Sequence, residues 1–218
     1  MHCSSAIIQD ISNTRSTHMA YFFFDFKDTR KQDSRAFLSS LLVQFSNQSV
    51  SLRNIFLEFY SAHQRGSQKP GDRELMQCLE KMFKSPREEP IYVIVDAVDE
   101  CPDTSGLQSL REKVLDLIEK LVGFHLSNLR LYITSRPEID IRNVLEPLTS
   151  TINRISLHNQ DGQKKDIANY VRSVVLSDRK MKSWRDEDKM LVIKTLSDKV
   201  DGMYGSRSLL ATHSDTLK

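Results

Sequence analysis

The feature that most constrains this chain is a short apolar run that ends in carboxylates. Residues 91–101 read IYVIVDAVDEC, with five apolar residues in front of Asp96. A continuous apolar run of this length predicts a strand that is buried on both faces, as in a parallel sheet covered by helices. Ligands of such sheets bind at the carboxyl ends of the strands, which is where Asp96, Asp99 and Glu100 lie. The run therefore favours an α/β fold with an acidic site at one edge of its sheet.

A second apolar strand ends in polar residues in the same way. Residues 129–136 read LRLYITSR, so this strand ends in Thr134, Ser135 and Arg136. An arginine at such an edge can stabilise charge on a terminal phosphate. Taken singly, the acids could mark only the point where the chain leaves the core, and the arginine could belong to a surface ion pair. Two strands with matching ends, separated by one helix, favour a phosphate-binding site over these alternatives.

The rest of the chain alternates strands with helices and then becomes wholly helical. Further strands are predicted over 20–26 (AYFFFDF) and 152–157 (INRISL), and from about Gln163 the pattern is helical only. This order predicts a parallel α/β core followed by the start of a helical subdomain. The helices between the strands begin near Asp33, Ser51 and Asp72, residue types that cap helix N-termini.

Composition argues against several classes of partner and site. The chain has 31 basic and 29 acidic residues, which gives no reason to expect nucleic acid as the main partner. No apolar stretch approaches the roughly 20 residues of a membrane helix, and the first residues do not read as a secretory signal. Three well-separated cysteines argue against a disulfide framework or a zinc site. We expect a cytoplasmic protein that binds neither nucleic acid nor membrane.

These motifs resemble those of the NACHT-type NTPases, a group of signal-transducing P-loop ATPases (STAND). The resemblance is greatest to their fungal branch, whose NACHT or nephrocystin-type modules precede ankyrin or other repeats. VIVDAVDEC (93–101) looks like the Walker B segment of the family, and YITSRPE (132–138) looks like its sensor segment. The resemblance covers roughly residues 3–204.

The resemblance implies a role for each candidate residue. Asp96 is expected to hold Mg²⁺ through water, and Glu100 is expected to be the catalytic acid, assisted by Asp99. The sensor segment, with Thr134, Ser135 and Arg136, is expected to contact the nucleotide, with the arginine near the γ-phosphate. The implied cofactors are Mg²⁺ and ATP or GTP.

The resemblance also divides the chain into three parts. Residues 1–158 are expected to form a partial nucleotide-binding α/β core of the P-loop NTPase type, and residues 159–204 the start of a helical subdomain. Residues 205–218 diverge from the family, and their polar, poorly periodic sequence predicts a frayed tail.

The sequence contains no phosphate-binding loop of the type G-x-x-x-x-G-K-[ST], and the first of its seven glycines is Gly66. Such a loop supplies the backbone N–H groups and the lysine that bind the β- and γ-phosphates. In the family it precedes a helix like CSSAIIQDI (3–11), and the strand before it lies inside the sheet. We therefore expect exposed strand edges, and a chain that by itself neither binds ATP tightly nor hydrolyses it appreciably.

Three functions are compatible with these features. The first is a NACHT-type nucleotide switch that signals by self-association. The second is a non-catalytic fragment that associates with intact NACHT proteins. The third is a metal-dependent phosphate-ester hydrolase that uses Asp96, Asp99 and Glu100 as metal-bound acids. The Thr-Ser-Arg strand end disfavours the third, because that chemistry does not need it.

Overall fold

The computed structural model describes residues 3–14, 17–86, 89–103, 109–149, 153–156, 161–177, 181–182, 184–203 and 208–213. The chain divides into two compact units. The first contains Met1–Ile155 together with Ser208–Lys218, and the second contains Ser156–Arg207. The predicted domain boundaries, after residues 158 and 204, lie outside the described residues.

The first unit is built on a five-stranded sheet. In chain order its strands are β1 (His18–Phe23), β2 (Ile91–Asp96), β3 (Leu129–Ser135), β4 (Arg154–Ser156) and β5 (Ser208–His213). Their order in the sheet is β1-β2-β3-β5-β4. The first three strands are parallel neighbours, which confirms the predicted α/β fold with a parallel core.

Six helices accompany this sheet: α1 (Cys3–Ser12), α2 (Ser34–Ser46), α3 (Val50–Ala62), α4 (Asp72–Lys84), α5 (Leu110–Val122) and α6 (Ile139–Leu145). The predicted cap of α2 is confirmed, since an Asp33 carboxylate oxygen accepts from the Ala36 N–H at 2.7 Å. The predicted cap of α3 is wrong by two residues. Ser49, whose backbone is extended as an N-cap requires, accepts from the Leu52 N–H at 3.2 Å, whereas Ser51 lies inside the first turn.

The core of the first unit lies where α2 packs against β1 and α4. The buried face of α2 repeats every three or four residues, which is the spacing of an amphipathic helix. Phe37 meets Phe22 and Phe24 of the β1 segment, with ring centroids 5.6 and 6.1 Å apart. Phe45 meets Phe83 of α4 edge-on, at 5.2 Å. This packing fixes β1 and its neighbour β2, and so fixes the strand end that carries Asp96.

The C-terminal segment differs from its prediction as a frayed tail. Ser208–His213 forms β5, which pairs antiparallel with β3 in a register from Arg130↔His213 to Ser135↔Ser208. An unpaired edge of β3 would present a row of backbone N–H and C=O groups, and the segment SLLATH has enough apolar and β-branched residues to pair with it. The expectation of an exposed edge is therefore wrong for β3. Residues 204–207 and 214–218 lie outside the described residues.

The outer edge of β1 is covered by two glutamine side chains, Gln44 in the last turn of α2 and Gln48 in the turn that follows the helix. Gln44 accepts from the Tyr21 N–H at 3.0 Å and donates to the Tyr21 carbonyl at 2.7 Å. Gln48 accepts from the Met19 N–H at 2.9 Å and donates to the Met19 carbonyl at 2.5 Å. The two amides thus take the place of a neighbouring strand.

Removal of these amides is expected to open the β1 edge. In the double variant Gln44→Ala/Gln48→Ala, the backbone groups of Met19 and Tyr21 lose their partners and can pair with another chain. Sedimentation velocity should then show larger species whose fraction rises with protein concentration, relative to the unmodified chain. Gln77→Ala, at an exposed position of α4, is the matched control and should behave like the unmodified chain. A double variant that sediments like this control would contradict the proposed capping.

The second unit contains two helices, α7 (Asp161–Ser177) and α8 (Asp186–Met203), which contact each other. Val175 and Ile193 are buried, one from each helix. Both helices lie in the region for which the sequence predicts helices alone. In the part of the chain that the structure describes, no helix has both the length and the apolar character that a membrane crossing needs.

Candidate functional site

The ends of β2 and β3 meet through a threonine. Thr134 donates its hydroxyl to a carboxylate oxygen of Asp96 and accepts from the Ala97 N–H at 3.0 Å. Asp96 and Thr134 are both buried. Because the two strands are parallel and Val95 pairs with Ile133, the next residue of each strand comes to the same edge of the sheet. The structure thus brings these two candidate residues into direct contact.

The backbone turns sharply after β2, at Ala97. This residue has φ 57° and ψ 51°, a left-handed conformation that costs a residue with a Cβ atom about 1–2 kcal/mol. A single 3-10 turn, Val98–Glu100, follows directly. The turn carries Asp99 back toward the end of β3, where it meets Arg136.

Asp99 contacts Arg136 in two ways. One carboxylate oxygen accepts from the Arg136 N–H at 3.0 Å, and the other lies 3.4 Å from the Arg136 Nε. The Asp99 side chain is only 2% exposed, whereas that of Arg136 is 55% exposed. The Asp99 carboxylate is therefore directed at the arginine, and the guanidinium remains accessible from solvent. This geometry suits Asp99 to orienting Arg136 better than to assisting an acid in solvent.

Ser4 also belongs to this site, although neither of the two strand-end motifs predicts it. Its side chain is fully buried in the first turn of α1 and donates to the same Asp96 oxygen that Thr134 contacts. One signal in the sequence could have identified it. Ser4 lies on a helical stripe with Ile8 and Ile11, where a polar residue is unexpected. A serine at such a position needs a buried partner, and Asp96 is that partner.

Arg111 is a second residue that motif reasoning misses. It lies in the first turn of α5, is only 7% exposed, and donates to the carbonyls of Cys101 at 2.9 Å and Asp99 at 2.8 Å. It also forms ion pairs with Glu138 and, at 3.2 Å, with Asp140. Burial opposes its charged form, but these two carboxylates outweigh burial and raise the pKa of Arg111. Like Ser4, it occupies the apolar stripe of its helix.

The remaining candidates have local roles. Ser135 is buried and donates its hydroxyl to the Arg136 carbonyl at 2.9 Å. Glu100 ends the 3-10 turn and is partly exposed. Cys101, next in the chain, is fully buried and donates its thiol to the Gln32 carbonyl at 3.1 Å. Burial raises the pKa of Cys101 to about 12, so the thiol stays protonated and is not a nucleophile near neutral pH.

The donor set of the site suits a magnesium ion that is shared with a substrate. Asp96 offers a carboxylate, and Ser4 and Thr134 offer hydroxyl oxygens beside it. Mg²⁺ prefers such oxygen ligands, keeps several waters, and is often bound by one or two carboxylates together with phosphates. Across the described residues, no three His, Cys, Asp or Glu side chains are grouped so as to hold a metal. The single carboxylate of Asp96 with two hydroxyl oxygens beside it fits the mode in which waters and phosphates supply the other ligands of Mg²⁺.

Comparison with known proteins identifies a family that the chain matches. The family model described as nephrocystin 3, N-terminal, matches residues 2–136, which is more than half of the 218 residues. The matched range runs from residue 2 to Arg136 and therefore includes Ser4, Asp96, Asp99 and Thr134. No curated protein and no solved structure matches the chain.

Proposed function

The chain belongs to the nephrocystin 3 N-terminal family, and from this premise we propose that it is the nucleotide-binding core of a NACHT-type signalling NTPase. The observation that carries the proposal is the meeting of two strand ends, with Asp96 against Thr134 and Asp99 against Arg136. An acid, hydroxyl groups and a guanidinium thereby share one edge of a parallel sheet, the edge at which ligands of such sheets bind.

Each group has a distinct task in this proposal. Asp96 holds Mg²⁺ through water, with the oxygens of Ser4 and Thr134 beside it. When bound, the ion neutralises charge on the β- and γ-phosphates of ATP or GTP. Arg136, whose guanidinium is accessible, binds the terminal phosphate. Glu100 is the acid that orients the attacking water.

The contacts of Asp99 favour this function over a metal-dependent hydrolase of phosphate esters. A hydrolase of that kind needs Asp99 as a metal ligand, but its carboxylate accepts from Arg136 instead. The arginine beside it suits recognition of a phosphate. We also propose that the protein acts in the cytoplasm through self-association or through intact NACHT proteins. Association with intact NACHT proteins is also what the alternative function, a non-catalytic interaction fragment, would require.

The 218 residues contain the acids and the arginine of the proposed nucleotide site, but they contain no glycine-rich phosphate-binding loop. We therefore propose that this chain alone binds Mg·ATP with a dissociation constant above about 100 μM, because the backbone donors and lysine that grip the phosphates are not among its residues. An NMR titration of the full chain with Mg·ATP should shift the amides of Thr134 and Arg136 only at high nucleotide concentration.

The matched variants for this titration are Asp96→Ala and Asp103→Ala. Asp103 is an exposed acid close to the site in sequence, and its replacement should leave the shifts unchanged, whereas Asp96→Ala should abolish them. Micromolar binding that Asp96→Ala abolishes would overturn the proposal of weak binding by this chain. An absence of shifts at Thr134 and Arg136 even at millimolar Mg·ATP, or shifts that persist in Asp96→Ala, would overturn the proposed nucleotide site.

A further inference from the structure

A closed ring of hydrogen bonds, some of them to charged groups, joins the two loops that follow β2 and β3 to the start of α5. Arg111 Nη2 donates to the Asp99 carbonyl at 2.8 Å, and the Asp99 carboxylate accepts from the Arg136 N–H at 3.0 Å. Two residues further on, the Glu138 N–H donates to the Arg136 carbonyl at 2.9 Å. The Glu138 carboxylate returns to Arg111 Nη1, which completes the ring. Three segments meet in it: the start of α5, the loop after β2, and the loop after β3.

The position of Arg111 goes against two general tendencies. Arginine is seldom buried unless its charge is paired, and a positive charge in the first turn of a helix opposes the helix dipole. The contacts of Arg111 therefore have to be sought outside α5. They lie in the loop that carries Asp99 and in Glu138 and Asp140, at the start of α6, just after Arg136. The side chain of Arg111 therefore stabilises the neighbouring site rather than its own helix.

The geometry of the contacts requires a guanidinium. Arg111 donates from Nε to the Cys101 carbonyl, from Nη2 to the Asp99 carbonyl, and from Nη1 to the carboxylates of Glu138 and Asp140. These donors lie on three different nitrogens of one planar group. A lysine ammonium has its donors on a single atom and cannot reach all of these acceptors. Replacement by lysine thus preserves the charge and removes the geometry.

We propose that Arg111 is the positioning residue of this site, which fixes Asp99 and, through the Asp99 carboxylate, fixes Arg136. Arg111 is almost fully buried, so it acts through Asp99 and does not itself touch a ligand. The functional meaning of this role rests on the proposed function, in which Arg136 binds the terminal phosphate. The positioning itself is a property of the protein without nucleotide, and it can be tested in that state.

The test is hydrogen exchange of the Arg136 amide, measured by NMR on the full chain without nucleotide. Asp99→Ala removes the acceptor of this amide, so the exchange rate of the Arg136 amide should increase most in that variant. In Arg111→Lys, the exchange rate of the Arg136 amide should rise by a factor at least about ten times larger than the factor for the Val95 and Ile133 amides in the same variant. Arg142→Lys is the matched control, because Arg142 is an exposed arginine of α6 that pairs with Glu146 at 2.9 Å. It should leave the exchange rate of the Arg136 amide within about twofold of its rate in the unmodified chain.

A second variant keeps the proposal testable if Arg111→Lys does not fold. Glu138 is 41% exposed, so Glu138→Gln should fold, and it weakens the ring from its other side. It should accelerate the Arg136 amide by about threefold relative to the strand amides. The proposal is overturned if the Arg136 amide and the strand amides of Arg111→Lys change by the same factor, or if Glu138→Gln leaves the Arg136 amide unchanged. Since no nucleotide is present, this result is independent of the Mg·ATP titration.

Discussion

Phe45→Ala is expected to destabilise the first unit by about 3–5 kcal/mol, the range found when a buried phenylalanine is truncated. Phe45 is fully buried in α2, with its ring edge-on to Phe83 of α4. The ring centroid of Phe83 in turn lies 6.4 Å from that of Phe124, just after α5, so the cavity would open at one end of a series of three aromatic rings. Since domains are stable by only about 5–15 kcal/mol, this is a large part of the total.

The measurement is urea unfolding of the full chain, followed by far-UV circular dichroism. Phe26→Ala makes the same chemical change at a residue that is 63% exposed. The Lys27 ammonium lies 5.4 Å from its ring centroid, a weak contact at an exposed site, so the loss should not exceed about 1 kcal/mol. Equal losses in the two variants would mean that α2 does not form the centre of the core.

The sequence predicts the elements of this fold that depend on local pattern. β2 is a continuous apolar run before Asp96, and β3 is apolar except for Arg130 before its polar end, which is typical of strands inside a covered sheet. The contact between Asp96 and Thr134 follows from the same pattern, since parallel neighbours end at the same edge. The cap at Asp33 is equally local, because a side chain and an N–H three residues away determine it.

Several features that the sequence does not predict depend on distant parts of the chain. β5 forms because β3 offers a free edge, and the sequence of residues 208–213 does not by itself indicate that a partner strand is available. The same holds for Gln44 and Gln48, whose amides match a strand that lies more than 20 residues earlier. Such pairings are decided by tertiary contacts, which override a weak local preference.

Ser4 and Arg111 carry a signal that motif searching overlooks. Each lies on the apolar stripe of its helix, at a position where a hydrophobic residue is the rule. A polar residue that is buried there must have a partner, and for both residues the partner lies in the loop after β2 or at the end of that strand. The position of Asp99 escapes prediction for a different reason, because it depends on the left-handed backbone of Ala97.

Thr134→Val is expected to destabilise the first unit by about 2–4 kcal/mol, although valine has nearly the same shape as threonine and suits a strand at least as well. The Thr134 hydroxyl makes two buried hydrogen bonds, one to the charged Asp96 carboxylate and one from the Ala97 N–H. Bonds to charged groups contribute about 1.5–3 kcal/mol, and a buried N–H left without an acceptor costs about 1–3 kcal/mol. The two terms overlap, since both depend on the turn after β2, so their full sum is not expected.

Thr134→Ser separates the hydroxyl from the methyl group. Serine keeps both hydrogen bonds and loses only a buried methyl, for which a loss of about 1 kcal/mol is expected in urea unfolding. Valine should therefore be the more damaging replacement, although it is the better match in volume. If serine proved the worse of the two, packing of the methyl group would decide the stability of this strand end. The Thr134 hydroxyl would then not be what holds Asp96 at the edge of the sheet.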